Sequence, residues 1–528
     1  MKFFLKCISL LFILSANLYA DVKMPQLFGD NMVLQRDIPL NVWGLADKGE
    51  KVTVSFAGQE KQSTAGEDGR WMVKLDPLKV SSTAQTMTVS SSQISKSPNL
   101  QFKNILVGDV WVCSGQSNME LPVLKAANAK EEVASSENPL IRHMSISPTI
   151  SLYPQDEVQS NKWNVAGPQA TAGFTAAGYY FAKEIVKETG IPVGLINASR
   201  GGTKIEPWTP AEAFRKFPEL KSTSEEVDAW IPTTEIGKKS FGKYIEDIKA
   251  WIPAAEAALK EGRMTPPLPH APGSTISFHS PTMAFNGTIS PLMNYGIKGV
   301  LWYQGEANGG EDEIYTHKMN ALVSSWRSLW KEGDFPFYYV QLANFRTSNP
   351  DNPAGGDLWT KTREAQLKTM PVVKNTGMAV IIDIGEAGDI HPKNKQDVGK
   401  RLAAWALAKD YGKNIVYSGP LYKDFKVEDG KIRLSFDHVG TGLITGKKEG
   451  IAPVKVTPNE KLKWIAIAGE DKKWYWADAV IDGNTVLVSS EKVQKPAAVR
   501  YAYAMNPEGA NLYNKEGFPA SPFRTDNW

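Results

Sequence analysis

Two cysteines in 528 residues, Cys7 and Cys113, are too few for a disulfide framework. Charge of one sign is also missing: 60 Lys and Arg against 57 Asp and Glu give +3, without the basic excess of a nucleic-acid binder. Glycine (43) and proline (33) are near average usage, which excludes collagen-like and low-complexity chains. No Cys/His ligand spacing, phosphate loop or dinucleotide fingerprint occurs, so neither a metal nor a cofactor is expected. Past the N-terminus no apolar run is long enough to span a bilayer.

The N-terminus reads as an export signal over residues 1–20. Lys2 and Lys6 precede a mostly apolar stretch at 8–14, and Ala16-Asn17-Leu18-Tyr19-Ala20 supplies a small-residue cleavage region. Cleavage there removes Lys2, Lys6 and Cys7, lowering the charge from +3 to +1 and leaving Cys113 alone. The expected location is therefore periplasmic or extracellular, with stability coming from apolar cores. Those are well supplied: 42% of residues are hydrophobic, among them 16 Trp, 17 Tyr and 20 Phe.

The hydrophobic pattern predicts β, then α/β, then β. Residues 21–104 alternate in short runs, such as Leu40-Asn41-Val42-Trp43 and Val52-Thr53-Val54-Ser55-Phe56, and suggest an immunoglobulin-like sandwich. From 105 the strands become almost continuously apolar, as in a parallel sheet covered on both faces. Candidates lie at 105–113, 193–197, 298–303, 337–342 and 377–384. Helical spacing at Phe174, Gly178, Phe181 and Ile185, and at Val398, Leu402 and Trp405, separates them. Residues 105–410 therefore read as a doubly wound α/β domain with helices on both faces. A helical insert is expected near 209–264, and 411–528 returns to β.

Four of these strands break into small polar residues at their carboxyl ends, where open parallel sheets bind ligands. These are Ser114-Gly115-Gln116-Ser117-Asn118, Ala198-Ser199-Arg200-Gly201-Gly202-Thr203, Gln304-Gly305-Glu306 and Gly385-Glu386-Ala387-Gly388-Asp389-Ile390-His391. Ser117 suits a nucleophile on a tight turn, and His391 a base that takes its proton. Gly201-Gly202 lets a backbone N–H approach a developing oxyanion, and Gln304 offers it a side-chain amide. Cys113 reads as a small core side chain. Trp302 and Tyr303 read either as packing or as cleft wall, and Asp30 and Asp109 as turn caps.

Together with Leu27-Phe28-Gly29-Asp30-Asn31-Met32, Val107-Gly108-Asp109-Val110-Trp111, Trp302-Tyr303-Gln304-Gly305-Glu306 and Asp389-Ile390-His391-Pro392, these motifs resemble the sialate O-acetylesterase group of the SGNH-hydrolase superfamily. The resemblance spans nearly the whole mature chain. It implies Ser117 as nucleophile, His391 as general base and acid, and Ser117 N–H, Gly202 N–H and Gln304 as the oxyanion hole. It implies metal-free removal of O-acetyl groups from sialic acids or other acetylated glycans. Arg200 stands where the family commonly has Trp, and is a candidate partner for a sugar carboxylate. The superfamily often places the triad acid three residues before the histidine, where this chain has Gly388. The acid that orients His391 is therefore open among Asp389, Glu306, Glu386 and a backbone carbonyl, with Asp389 nearest in sequence. An acetylxylan-type esterase, a glycoside hydrolase using Glu306 with Glu386 or Asp389, and a non-catalytic glycan-binding protein are the alternatives.

Overall fold

The computed structural model describes residues 22–91 and 99–528. The export signal expected at 1–20 lies outside them. At the centre is a sheet of seven strands, β1 (Leu100–Gly115), β2 (Asn138–Ser147), β3 (Asn164–Ala166), β4 (Val193–Ser199), β5 (Gly299–Tyr303), β6 (Phe337–Val340) and β7 (Thr376–Ala379). Their order is β3-β2-β4-β1-β5-β6-β7, parallel throughout except for β3 at one edge.

The near-continuous apolar runs follow from burial of both faces. Successive side chains point to opposite sides of a strand, so each face draws on alternate residues. Trp111, Cys113, Leu195, Leu301 and Tyr338 join one core, packed with Phe181 of α2 (Ala176–Thr189) and Leu402 and Trp405 of α6 (Lys395–Lys409). Their neighbours Val110, Val112, Ile196, Val300 and Phe337 join the other core, with Met319, Leu322 and Trp326 of α4 (Glu313–Trp330) and Ala365 of α5 (Leu358–Val372). Helix α2 ends where Gly190 turns left-handed at φ 68°. The 209–264 segment is helical, its longest piece being α3 (Glu235–Lys260).

Three features depart from the sequence pattern. β7 stops at Ala379, and Val380, Ile381 and Ile382 stay buried in the turn beyond it. β2 carries Arg142 and His143 in its buried centre, so its apolar run is interrupted. His143 stacks on Phe174, with ring centroids 4.4 Å apart, and accepts the Thr175 N–H at 3.3 Å. Burial pushes its pKa down to about 3, so it packs as a neutral ring. Finally, the expected boundary at 104/105 falls inside one strand. The first half of β1 pairs with Ser81–Ser91, and its second half is the middle of the parallel sheet.

The N-terminal β region and the α/β sheet are therefore joined by continuous backbone, reinforced where Val33–Gln35 pairs in parallel with Leu106–Gly108. Asp109 sits at that junction fully buried. It accepts from Gln35 Nε2 at 3.0 Å and, bidentately, from Arg36 Nε at 2.9 Å and Nη2 at 3.1 Å. It is an ion-pair residue and not the turn cap its sequence context suggests.

The C-terminal residues form antiparallel sheets docked on the carboxyl end of the parallel sheet. Arg363 of α5, fully buried, makes the joint: it donates to the carbonyls of Leu342 and Ala343 on one side and Ala504 and Met505 on the other. Among the described residues no helix is long and apolar enough to cross a membrane.

Removing one partner of a buried ion pair costs about 3–5 kcal/mol. Asp109→Ala, which removes the buried carboxylate that Arg36 and Gln35 share, is accordingly expected to lower the denaturant midpoint clearly. An unchanged midpoint would show that the junction does not depend on this pair.

Candidate active site

The turn that presents Ser117 depends on one glycine. Gly115 ends β1 at φ 130°, and a Cβ there would lie 2.2 Å from the Tyr303 carbonyl oxygen of the adjacent β5. The Gln116 N–H donates to that same oxygen at 2.9 Å, and Ser117 then opens the short helix α1 (Ser117–Glu120). His391 arrives on the loop after β7. Its Nε2 lies 2.9 Å from Ser117 Oγ, and its Nδ1 lies 3.2 Å from Asp389 Oδ1. The same aspartate oxygen accepts the His391 backbone N–H at 2.9 Å. That N–H, with the ring beside it, holds the Asp389 carboxyl below its ordinary range. Asp389 therefore remains a carboxylate at neutral pH, able to fix an Nδ1–H tautomer and leave Nε2 as the acceptor for the serine proton.

These three residues line a cleft of about 670 Å³ with Glu120, Lys125 and Lys393. Small-molecule sites fall in this size range.

Behind Ser117, the Asn118 side chain makes three hydrogen bonds to groups from other segments. Its Nδ2 donates to Glu306 Oε1 at 2.5 Å and to the Ile390 carbonyl at 3.0 Å, and its Oδ1 accepts from Lys395 Nζ at 2.6 Å. Lys395 is fully buried at the start of α6, with its ammonium 4.7 Å from the centre of the Tyr303 ring. Burial pushes the Lys395 pKa down to about 7 and raises that of Glu306. Glu306 is thus the partner of Asn118 and Glu386 the partner of Lys393, whose N–H it accepts at 2.9 Å. Of the open candidates for orienting His391, Asp389 is the carboxylate in contact with its ring.

Gly201 lies against the serine: a Cβ on it would sit 3.4 Å from Ser117 Cβ, and its N–H donates to Glu120 Oε2 at 2.7 Å. Gly202 has φ 75° and open space where a side chain would be. The Ser117 and Gly202 N–H groups have no protein acceptor among the described residues. Arg200 is exposed on this same turn, its guanidinium 5.0 Å from the Phe278 ring centre, and it makes no ion pair among the described residues.

Gln304 is held by the protein around it. It is fully buried. Its Nε2 is directed at Asn308 Oδ1 (2.7 Å), Thr203 O and Gln116 Oε1 (both 3.2 Å), while its Oε1 accepts from Tyr315. Two amide hydrogens facing three protein acceptors leave none for a substrate oxygen. Gln304 instead ties the β5 turn to those following β1 and β4. Trp302 and Tyr303 are core residues at 1% and 0% exposure, and Cys113 is buried with its thiol pKa raised. No group of three or more His, Cys, Asp or Glu placed to hold a metal ion occurs among the described residues.

Sequence reasoning passed over Asn118, Glu120 and Lys395 as individual side chains. Asn118 and Glu120 follow the serine on α1, and Lys395 lies four residues after His391, so proximity to the two motifs was the available signal.

Comparison with known proteins agrees with this architecture. A family profile described as carbohydrate esterase, sialic acid-specific acetylesterase matches residues 107–228 and 271–408. Sialate O-acetylesterase of Mus musculus is 30% identical, covering 93% of this chain and 92% of the mouse protein. The Rattus norvegicus protein of the same name is 29% identical, with the same coverage of each chain. A crystal structure of a carbohydrate acetylesterase from Xanthomonas citri superposes with a TM-score of 0.78 at 33% identity, covering 96% of this chain and all of that one. The chain is a carboxylic ester hydrolase. It belongs to the sialic acid-specific acetylesterase family of carbohydrate esterases.

Proposed function

We propose that this protein removes O-acetyl groups from sialic acids or related acetylated glycans through an acetyl-serine intermediate, on an SGNH-type hydrolase fold. The observation that carries the reading is the Ser117–His391–Asp389 relay opening onto a cleft. The imidazole Nε2 takes the Oγ proton as Oγ attacks the acetyl carbonyl carbon. The resulting oxyanion is met by the free N–H groups of Ser117 and Gly202, which are fixed before the charge develops. Collapse breaks the C–O bond to the sugar, whose oxygen leaves with the proton held on His391. Water then repeats the sequence on the acetyl-enzyme, releasing acetate and restoring the Ser117 hydroxyl.

The Xanthomonas relative supports the wider class of carbohydrate acetates, and the rodent relatives support sialic acid. Arg200, cationic and free of an acidic partner, is the proposed contact for a sialate carboxylate, with Lys125 a second cation in the cleft itself. A glycoside hydrolase needs two carboxyls facing one sugar bond, and here the Glu306 carboxyl is buried against Asn118. Export after cleavage near Ala20 completes the proposal, supported by Lys2, Lys6 and the apolar stretch at 8–14.

Acetate release from O-acetylated sialic acid is expected to fall by at least about 10³-fold in Ser117→Ala. Retained activity would remove the serine mechanism. Asp389→Asn is expected to lower kcat by about 10²- to 10⁴-fold with little change in KM. Equal, small losses in Asp389→Asn and Glu306→Gln would mean that neither carboxyl orients His391. Arg200→Ala is expected to reduce the preference for sialylated over neutral acetylated sugars, and an unchanged ratio of kcat/KM values would exclude Arg200 from that role.

A further inference from the structure

A second cleft, of about 760 Å³, opens between the C-terminal β region and the loop after β6. Two tryptophans line it. Trp464 and Trp476 meet edge to face, with ring centroids 5.4 Å apart and planes at 89°. Both indole N–H groups are spent on backbone: Trp476 donates to the Pro350 carbonyl and Trp464 to that of Glu508, each at 2.7 Å. What the pair offers a ligand is therefore ring surface. Trp476 is 40% exposed, and Trp464 holds a left-handed backbone at φ 60°, a conformation bulky residues rarely adopt. Thr347, Ser348, Lys463 and Glu508 line the cleft with them, the Lys463 ammonium being paired with Glu460 at 3.2 Å. Aromatic walls with a few polar groups at the edge suit a molecule that is apolar on its ring faces and hydroxylated around its rim. A pyranose is such a molecule.

The position of this cleft ties it to the chemistry. Its wall includes Ala387, on the loop that carries Asp389 and His391 into the first cleft. Four residue steps separate Ala387 from His391, at most about 14 Å of chain. The loop is folded tighter than that, since Asp389 N–H donates back to the Glu386 carbonyl and the Arg346 N–H holds the Ala387 carbonyl. One loop thus contributes to both clefts, Ala387 to the tryptophan cleft and Asp389 and His391 to the serine cleft, so a glycan of a few linked sugars could engage both.

We propose that the Trp464–Trp476 cleft is a glycan subsite, binding sugar residues beyond the one whose acetyl group is cleaved. The assignment rests on the acetylated-glycan reading of the Ser117 cleft and adds chain-length preference to it. The two tryptophans would be specificity residues that never touch the reacting ester.

The test compares Trp476→Ala and Trp476→Phe with the parent enzyme on three kinds of acetate: 4-nitrophenyl acetate, an O-acetylated monosaccharide, and the same sugar within an oligosaccharide. Two glycan pairs separate the sources: O-acetylated sialic acid against O-acetylated sialyllactose, and acetylated xylose against acetylated xylotetraose. Losing an aromatic anchor from a binding site costs five- to tenfold or more in affinity, to order of magnitude. Trp476→Ala is expected to raise KM about tenfold for the oligosaccharide of one pair, with 4-nitrophenyl acetate and monosaccharide kinetics unchanged and Trp476→Phe close to the parent. Unchanged 4-nitrophenyl acetate turnover also shows that the variant is folded. If the oligosaccharide and monosaccharide respond alike in both pairs, the subsite is overturned. Failure of the parent reading would look different: Ser117→Ala would retain acetate release whatever Trp476 does.

Discussion

Everything at the carboxyl end of the sheet hangs on the side chain of Asn118. Its amide reaches the Gln-Gly-Glu turn through Glu306 Oε1, the histidine loop through the Ile390 carbonyl, and the first turn of α6 through Lys395. The Gln-Gly-Glu turn is more than 80 residues from the other two segments and nearly 190 from the serine, yet one amide adjoining the serine holds all three. The distance that matters, 2.9 Å from Ser117 Oγ to His391 Nε2, is set between neighbours of those same contacts. Without the clasp a buried amine and a buried carboxyl would both be unpaired, a cost that favours the assembled arrangement over any splayed one.

The larger architecture serves the same end. A sheet covered on both faces is stiff, and the strand that delivers Ser117 is its central member, anchored at its other end by the Asp109–Arg36 pair and the N-terminal strands. The C-terminal sheets brace the opposite side. Arg363 joins their backbone to the end of β6, Asn344 Nδ2 bonds Asn506 Oδ1 at 2.9 Å, and the Gly385 N–H bonds Asn344 Oδ1 at 2.7 Å. The histidine loop therefore starts from a position fixed by both regions, which is also why the tryptophan cleft of the C-terminal region reaches its outer flank.

Much of this is legible in the residues. Apolar runs breaking into Gly, Ser, Gln and Asp mark strand ends in a doubly covered sheet, and the serine and histidine turns stand out for that reason. What hydrophobic pattern does not encode is the partner of a buried polar side chain. β2 is masked by Arg142 and His143, and α5 by Arg363, because a buried polar side chain looks like a surface residue until its partners are known. The partners of Gln304 are hidden in the same way: Asn308, Thr203 and Gln116 converge on its amide only in three dimensions. The continuity of β1 across 104/105 is hidden for a different reason, since one strand serves two sheets and only its burial changes. The tryptophan cleft combines residues from 347 to 508, and no local signal joins them.

The serine mechanism requires a covalent intermediate at Ser117. Enzyme quenched in acid during turnover of an O-acetylated sialic acid, digested and measured by mass spectrometry, reports it directly. One acetyl group is expected on the peptide that contains Ser117, absent when the substrate is omitted. A peptide that never gains acetyl during turnover, or an acetyl group carried on another residue, would contradict it.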